Sequence, residues 1–137
     1  MKSFLTLFTI LIIFSACMAK AHENNTTIPW EQNLSIAFEK AKNEDKIVMV
    51  MASSQGCRWC EKLERNTLND TRILLELKKF ILVKANRETP NERSQLPKFT
   101  HVPVVFFMSA EKEEIESILG YFEADDFLEY LQEFDED

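Results

Sequence analysis

The chain has 137 residues, 45% of them hydrophobic, and 16 basic against 23 acidic side chains give a formal charge of −7. That length suits one domain, and 11 Phe, 2 Trp and 2 Tyr supply the apolar bulk that a disordered chain lacks. With only 2 Gly and 4 Pro, collagen-like and linker-like compositions are excluded, and an acidic chain without a basic stripe excludes nucleic acid as a partner.

Lys2 precedes an apolar run, Phe4 to Ala16, interrupted only by Thr6, Thr9 and Ser15. The run is shorter than the roughly 20 residues a membrane span needs. It fits the apolar part of a secretory leader, and Ala19-Lys20-Ala21 supplies a small-x-small pattern for cleavage before His22. Residues 1–21 are therefore expected to be a signal peptide that sends the domain to the periplasm. An uncleaved anchor extending to about Met18 and a lipoprotein acylated at Cys17 are the alternatives. All three export the domain.

Residues 22–29 are polar and read as a flexible lead-in to one domain at 30–137. Leu34, Ala37, Phe38 and Ala41 recur at i, i+3, i+4, i+7, which predicts an amphipathic helix from about Trp30 to Asn43. Ile47 to Ala52 is an unbroken apolar run, the pattern of a strand covered on both faces. Ser53 to Gly56 break it, and a helix carrying Leu63 on its inner side follows. Asn69-Asp70 reads as another helix start, with Ile73, Leu74 and Leu77 behind it. Phe80 to Ala85 is a second buried strand. A polar loop from Asn86 to His101 holds one short helix near Glu92 to Leu96.

Val104 to Met108 is a third strand, and Ile115 to Leu119, flanked by charge, is a fourth at a sheet edge. Ala124, Phe127, Leu128 and Leu131 repeat the helical spacing in a closing helix. Alternating helices and strands that end in two adjacent strands and a helix imply an α/β fold, a central mixed sheet flanked by helices. The acidic groups Glu111 to Glu114 and Asp135 to Asp137 read as solvated surface, and the phenylalanines as core.

Leader cleavage would remove Cys17 and leave Cys57 and Cys60, two residues apart. Small exported domains are usually stapled by several disulfides that close long loops. A bridge closing so small a loop adds little stability. Zinc needs about four ligands, and only His22 and His101 could join the pair, so no metal is expected. The pair therefore points to redox chemistry. At the head of a helix Cys57 meets unpaired N–H groups and the positive end of the macrodipole, which favour its thiolate. Cys57 is then the attacking thiol and Cys60, one turn deeper, the resolving one. Arg58 adds positive charge beside the nucleophile, and Trp59 either packs or touches substrate. His101, in the loop, reads as an ordinary surface histidine.

The order helix, strand, Cys-x-x-Cys helix, strand, Val-Pro, strand, strand-Gly, helix resembles the thioredoxin fold, with a four-stranded sheet. More narrowly, Ile28-Pro29-Trp30, Ala37 to Lys42, Cys57-Arg58-Trp59-Cys60-Glu61-Lys62-Leu63-Glu64 and Phe80 to Lys84 are similar to exported thioredoxin-like proteins. That family includes the C-terminal domain of the DsbD thiol:disulfide interchange protein. The resemblance implies a cis-proline facing the cysteines, at Pro103, with the backbone around Val102 pairing with a bound substrate strand. Two departures stand out. Thioredoxin has Trp immediately before its first Cys, where this chain has Gly56, and an acid six residues before that Cys, where it has Met51. Glu64, four residues after Cys60 and matched by a Glu in the DsbD-like domains, is the candidate to replace that acid as proton acceptor. An ordinary surface glutamate paired with a lysine is the competing reading.

The expected function is an exported thiol:disulfide oxidoreductase that exchanges disulfides with protein substrates. Val102 before Pro103 and the narrow single domain favour a reductant. The catalytic set is Cys57, Cys60 and Glu64, and the substrate-binding set Arg58, Trp59, Val102 and Pro103. No cofactor beyond the cysteine pair is expected. The expected partners are protein thiols or disulfides and an unidentified redox partner, for which a membrane-bound protein is one candidate, and the chain is expected to be a monomer. The alternative is a non-enzymatic thioredoxin-like binding or chaperone module.

Overall fold

An unbroken apolar run at 47–52, a second at 80–85 interrupted only by Lys84, and one register of pairing set the centre of the molecule. The computed structural model describes residues 27–134. Residues 1–21, expected to be a signal peptide and including Cys17, residues 22–26 of the expected lead-in and the Asp135–Asp137 cluster lie outside the described residues. Strands β1 (Val48–Ser53) and β2 (Ile81–Asn86) pair in parallel, with Val48 opposite Ile81 and Met51 opposite Lys84. Strand β3 (Val104–Met108) runs antiparallel to β1, and β4 (Glu114–Leu119) antiparallel to β3. The sheet order is β2-β1-β3-β4, so the two adjacent C-terminal strands form one half of a mixed, four-stranded sheet.

Period-two alternation divides the sheet residues between two cores. Val48, Val50, Ala52, Ile81, Val83, Phe106 and Met108 pack beneath helix α1 (Leu34–Glu44), against Leu34, Ala37, Phe38 and Ala41. Met49, Met51, Leu82, Val105, Phe107 and Ile118 face the other way. That side is covered by the segment beginning at α2 (Arg58–Lys62), by α3 (Thr71–Glu76) with the 3-10 turn Leu77–Lys79, and by α5 (Ala124–Phe134). Cys60 and Leu63 belong to this second core, which ties the cysteine pair to the centre of the protein.

The first helix starts later than its periodicity predicts. Asn33 caps it, its side-chain oxygen accepting the Ile36 N–H at 3.0 Å, and a single residue in the left-handed region, Asp45 (φ 52°), ends it. Trp30 therefore lies outside the helix. Instead the Glu31 N–H donates to the Leu82 carbonyl at 2.7 Å and Glu31 pairs with Val83, so the segment Ile28–Glu31 runs along the outer edge of β2. Ile28, inside the segment read as a lead-in, is buried. The short helix of the long loop is α4 (Pro90–Arg93), two residues before the predicted position because Pro90 is well suited to a first helical turn.

Asp70 caps α3, accepting the Arg72 N–H at 2.9 Å and pairing with its guanidinium, which holds the carboxyl at about 2. The depressed value means that this cap stabilises the fold above the ordinary carboxylate range and loses its contribution as pH falls towards 2.

Candidate active site

The parallel strands end together, and the chain leaving β1 at Ser53 turns through Gly56, whose φ of 69° suits a residue without a Cβ. The turn delivers Cys57 to the N-cap of α2. Cys57 and Cys60 form a disulfide with their Cα atoms 5.3 Å apart, and the Cys60 N–H donates to Cys57 Sγ at 3.2 Å. Cys57 is partly exposed, whereas Cys60 is 4% exposed and sits in the core. An accessible first sulfur and a shielded second one are what exchange through a mixed disulfide requires.

The helix changes character just after the pair. Leu63–Leu68 is π-helical, a wider turn that periodicity does not distinguish from an ordinary helix. It buries Thr67, whose hydroxyl donates to the Phe122 carbonyl at 2.5 Å. It also turns Glu64 towards β2, where the carboxylate accepts from Lys84 Nζ at 2.5 Å and from Trp30 Nε1 at 3.2 Å. Lys84 lies in turn over the Trp30 ring, 5.1 Å from its centroid. The surface-glutamate reading anticipated a lysine partner for Glu64. The Trp30 contact spans 34 residues and has no local signal in the sequence.

The Val102–Pro103 peptide is cis, and Pro103 is buried. Val102 and Cys57 both pack against the core that holds Cys60. The Pro103 carbonyl accepts the Gly120 N–H at 2.9 Å, which joins the cis turn to the loop between β4 and α5. That loop carries Tyr121, a residue the sequence reading left out, and its ring stacks on Trp59 with centroids 5.5 Å apart. Arg58 is exposed beside Cys57, and His101 is exposed with Nδ1 2.8 Å from the Thr100 hydroxyl.

No group of three or more His, Cys, Asp or Glu among the described residues could hold a metal ion. A cleft of about 400 Å³ lined by Pro29, Leu74, Leu77 and Phe80 opens at the starting ends of β1 and β2, away from the cysteines. Thiol exchange needs an accessible sulfur rather than a cavity, so the cleft does not define the site.

Residues 29–110 match the model of a family described as thioredoxin-like. The chain belongs to the thioredoxin-like family. The thiol:disulfide interchange protein DsbD of Vibrio vulnificus (strain CMCP6) is 28% identical over 98 residues, which cover 67% of this chain and 16% of that protein. Among solved structures, a thioredoxin from Thermus thermophilus superposes with a TM-score of 0.63 at 22% identity, covering 74% of this chain and 83% of the other. The C-terminal domain of Neisseria meningitidis DsbD in its oxidised form gives 0.59 at 22% identity, covering 72% and 90%. Both show the same fold as this thioredoxin-like chain, as the order of its elements anticipated. Membership of the family together with the Cys57–Cys60 pair makes the protein a thiol:disulfide oxidoreductase.

Proposed function

We propose that the protein is an exported reductant of protein disulfides that cycles Cys57 and Cys60 between dithiol and disulfide without a further cofactor. The observation that carries this reading is the asymmetry of the pair, one sulfur accessible at a helix head and its partner buried behind it. The Cys57 thiolate attacks a substrate disulfide, forming a Cys57–substrate bond while one substrate sulfur leaves and takes up a proton. Cys60 then gives up its proton and attacks Cys57 Sγ, which releases the second substrate thiol and closes the enzyme disulfide. Two electrons pass to the substrate, and a dithiol partner, membrane-bound in this reading, restores them. The Cys60 N–H aimed at Cys57 Sγ and the neighbouring Arg58 both favour negative charge on the attacking sulfur. Export rests on the Phe4–Ala16 run and the Ala19-Lys20-Ala21 pattern. No helix among the described residues is long and apolar enough to cross a membrane.

Insulin reduction with dithiothreitol as electron source tests the activity. The wild type should accelerate precipitation of the insulin B chain, and Cys57→Ser should not. Equal rates would leave a binding module.

Glu64 is the proton acceptor in this scheme. Strand β1 offers Met51 where thioredoxin has an acid, and Met51 is the register partner of Lys84. By binding Lys84, Glu64 returns a carboxylate to the strand next to that position. Glu64→Gln should slow release of substrate from the Cys57 mixed disulfide about tenfold or more and leave the first attack nearly unchanged. Single-turnover kinetics between pH 6 and 8 separate the two steps, and equal release rates would assign the proton to solvent.

A further inference from the structure

We propose that Trp59, Tyr121 and Lys62 form a docking shelf beside Cys57 that selects substrates with an apolar residue next to the reacting cysteine. The proposal rests on the exchange reading above and names the substrate class for it. Trp59 is 57% exposed, and the other large hydrophobic side chains left exposed among the described residues, Ile36, Leu75, Ile115 and Leu119, are aliphatic. An indole in water gains nothing for the fold from that exposure. Yet it is held in place. Its ring is tilted 40° to that of Tyr121, and the Lys62 ammonium lies 4.1 Å from the Tyr121 centroid and 5.3 Å from that of Trp59.

The shelf is fastened on two sides. Gly120, next to Tyr121, is bonded to the Pro103 carbonyl, and the neighbouring Phe122 carbonyl accepts from Thr67 in the turn after the cysteines. Geometry then brings substrate to it. A Cys57 mixed disulfide places the substrate cysteine Cα within roughly 4.4–6.8 Å of the Cys57 Cα, and the next residue about 3.8 Å further on. The side chains flanking the substrate cysteine must rest on what surrounds Cys57, and Trp59 is two residues away at the same exposed helix end.

The shelf does not select for charge. The Lys62 ammonium is taken up by the two rings and by Glu123 at 3.7 Å, and the exposed charges on the same turn, Arg58 and Glu61, are opposite in sign and offset each other. An apolar flanking residue, aliphatic or aromatic, is therefore the matching occupant. Tyr121 contributes its ring only, since its hydroxyl oxygen is buried without a hydrogen-bond partner.

Three symmetric peptide disulfides that differ only in the residue after cysteine, Leu, Ser or Glu, test the proposal against reduced protein. Wild type should oxidise about tenfold faster with the Leu peptide than with the Ser peptide. Trp59→Ala should bring that ratio below about twofold, Tyr121→Leu should lower it, and Tyr121→Phe, which keeps the ring, should preserve it. Taking the ratio within each variant cancels any change in Cys57 reactivity. A wild-type ratio near one, an unchanged ratio in Trp59→Ala, or fastest reaction with the Glu peptide would overturn the shelf. Failure to react with any of the three, or with hydroxyethyl disulfide, would overturn the exchange reading itself, and the shelf with it.

Discussion

Cys60→Ser is expected to convert the protein into a trap that holds its substrates covalently. Cys57 is accessible and keeps its position at the N-cap of α2, so the first attack proceeds. Resolution does not. It depends on a neighbouring thiol presented at an effective concentration that external thiols at millimolar levels cannot match, and turnover should fall by at least about a thousandfold. Mixed disulfides should accumulate on Cys57, visible as mass-shifted species on non-reducing gels and removed by excess dithiothreitol. Cys57→Ser should form none, because Cys60 is buried in the core at 4% exposure. Adducts on Cys60 in the Cys57→Ser protein, with none in the reciprocal variant, would reverse the two roles.

The largest effect on stability is expected from Phe107→Ala. Phe107 is fully buried in β3, paired in register with Met49 and Glu116, and its ring meets Phe80 edge-on at 5.2 Å and lies 5.9 Å from that of Tyr130. Truncation removes the transfer energy of a whole ring and leaves a cavity between sheet and helices, a cost of about 3–5 kcal/mol. Domains of this size are stable by roughly 5–15 kcal/mol, so the variant should sit close to unfolding at room temperature. Urea denaturation should show a much lower midpoint, and Phe107→Leu, which refills part of the space, should recover a large share of it. A midpoint within experimental error of the wild type would mean that the second core collapses freely around the gap.

Where a signal is local, the amino-acid sequence carries it. The apolar runs at Ile47 and Phe80 become the parallel strand pair, the 34, 37, 38, 41 spacing becomes the inner face of α1, and Asp70 caps the helix expected after it. The cysteine pair was legible because few other roles suit a closely spaced pair in a chain whose one other cysteine, Cys17, lies in the N-terminal apolar stretch, whereas Pro103 was legible only through the family resemblance. Trp30 was misplaced because helical periodicity is sharp only at the buried positions. Nothing in it marks where the helix begins, and it is the Glu31–Leu82 hydrogen bond that takes this stretch to the sheet edge. The π-helical turn and the pairing of Trp59 with Tyr121 were not legible at all. The first differs from an α-helix by a backbone register that leaves no clear mark on side-chain pattern. The second joins residues far apart in sequence and exists only once the cis turn and the end of β4 have met.

The placement of the two tryptophans gives this chain its own optical instrument. A disulfide quenches a nearby indole by accepting its excited electron, and Trp59 stands between the two bridged cysteines in the sequence, so its emission is expected to rise when the pair is reduced. Trp30, the other tryptophan in the sequence, is held instead by Glu64 and Lys84 at the outer edge of β2. Reduction of the pair should therefore brighten the tryptophan emission, and the same titration in Trp30→Phe assigns the change to Trp59, without a label and without a substitution at any cysteine.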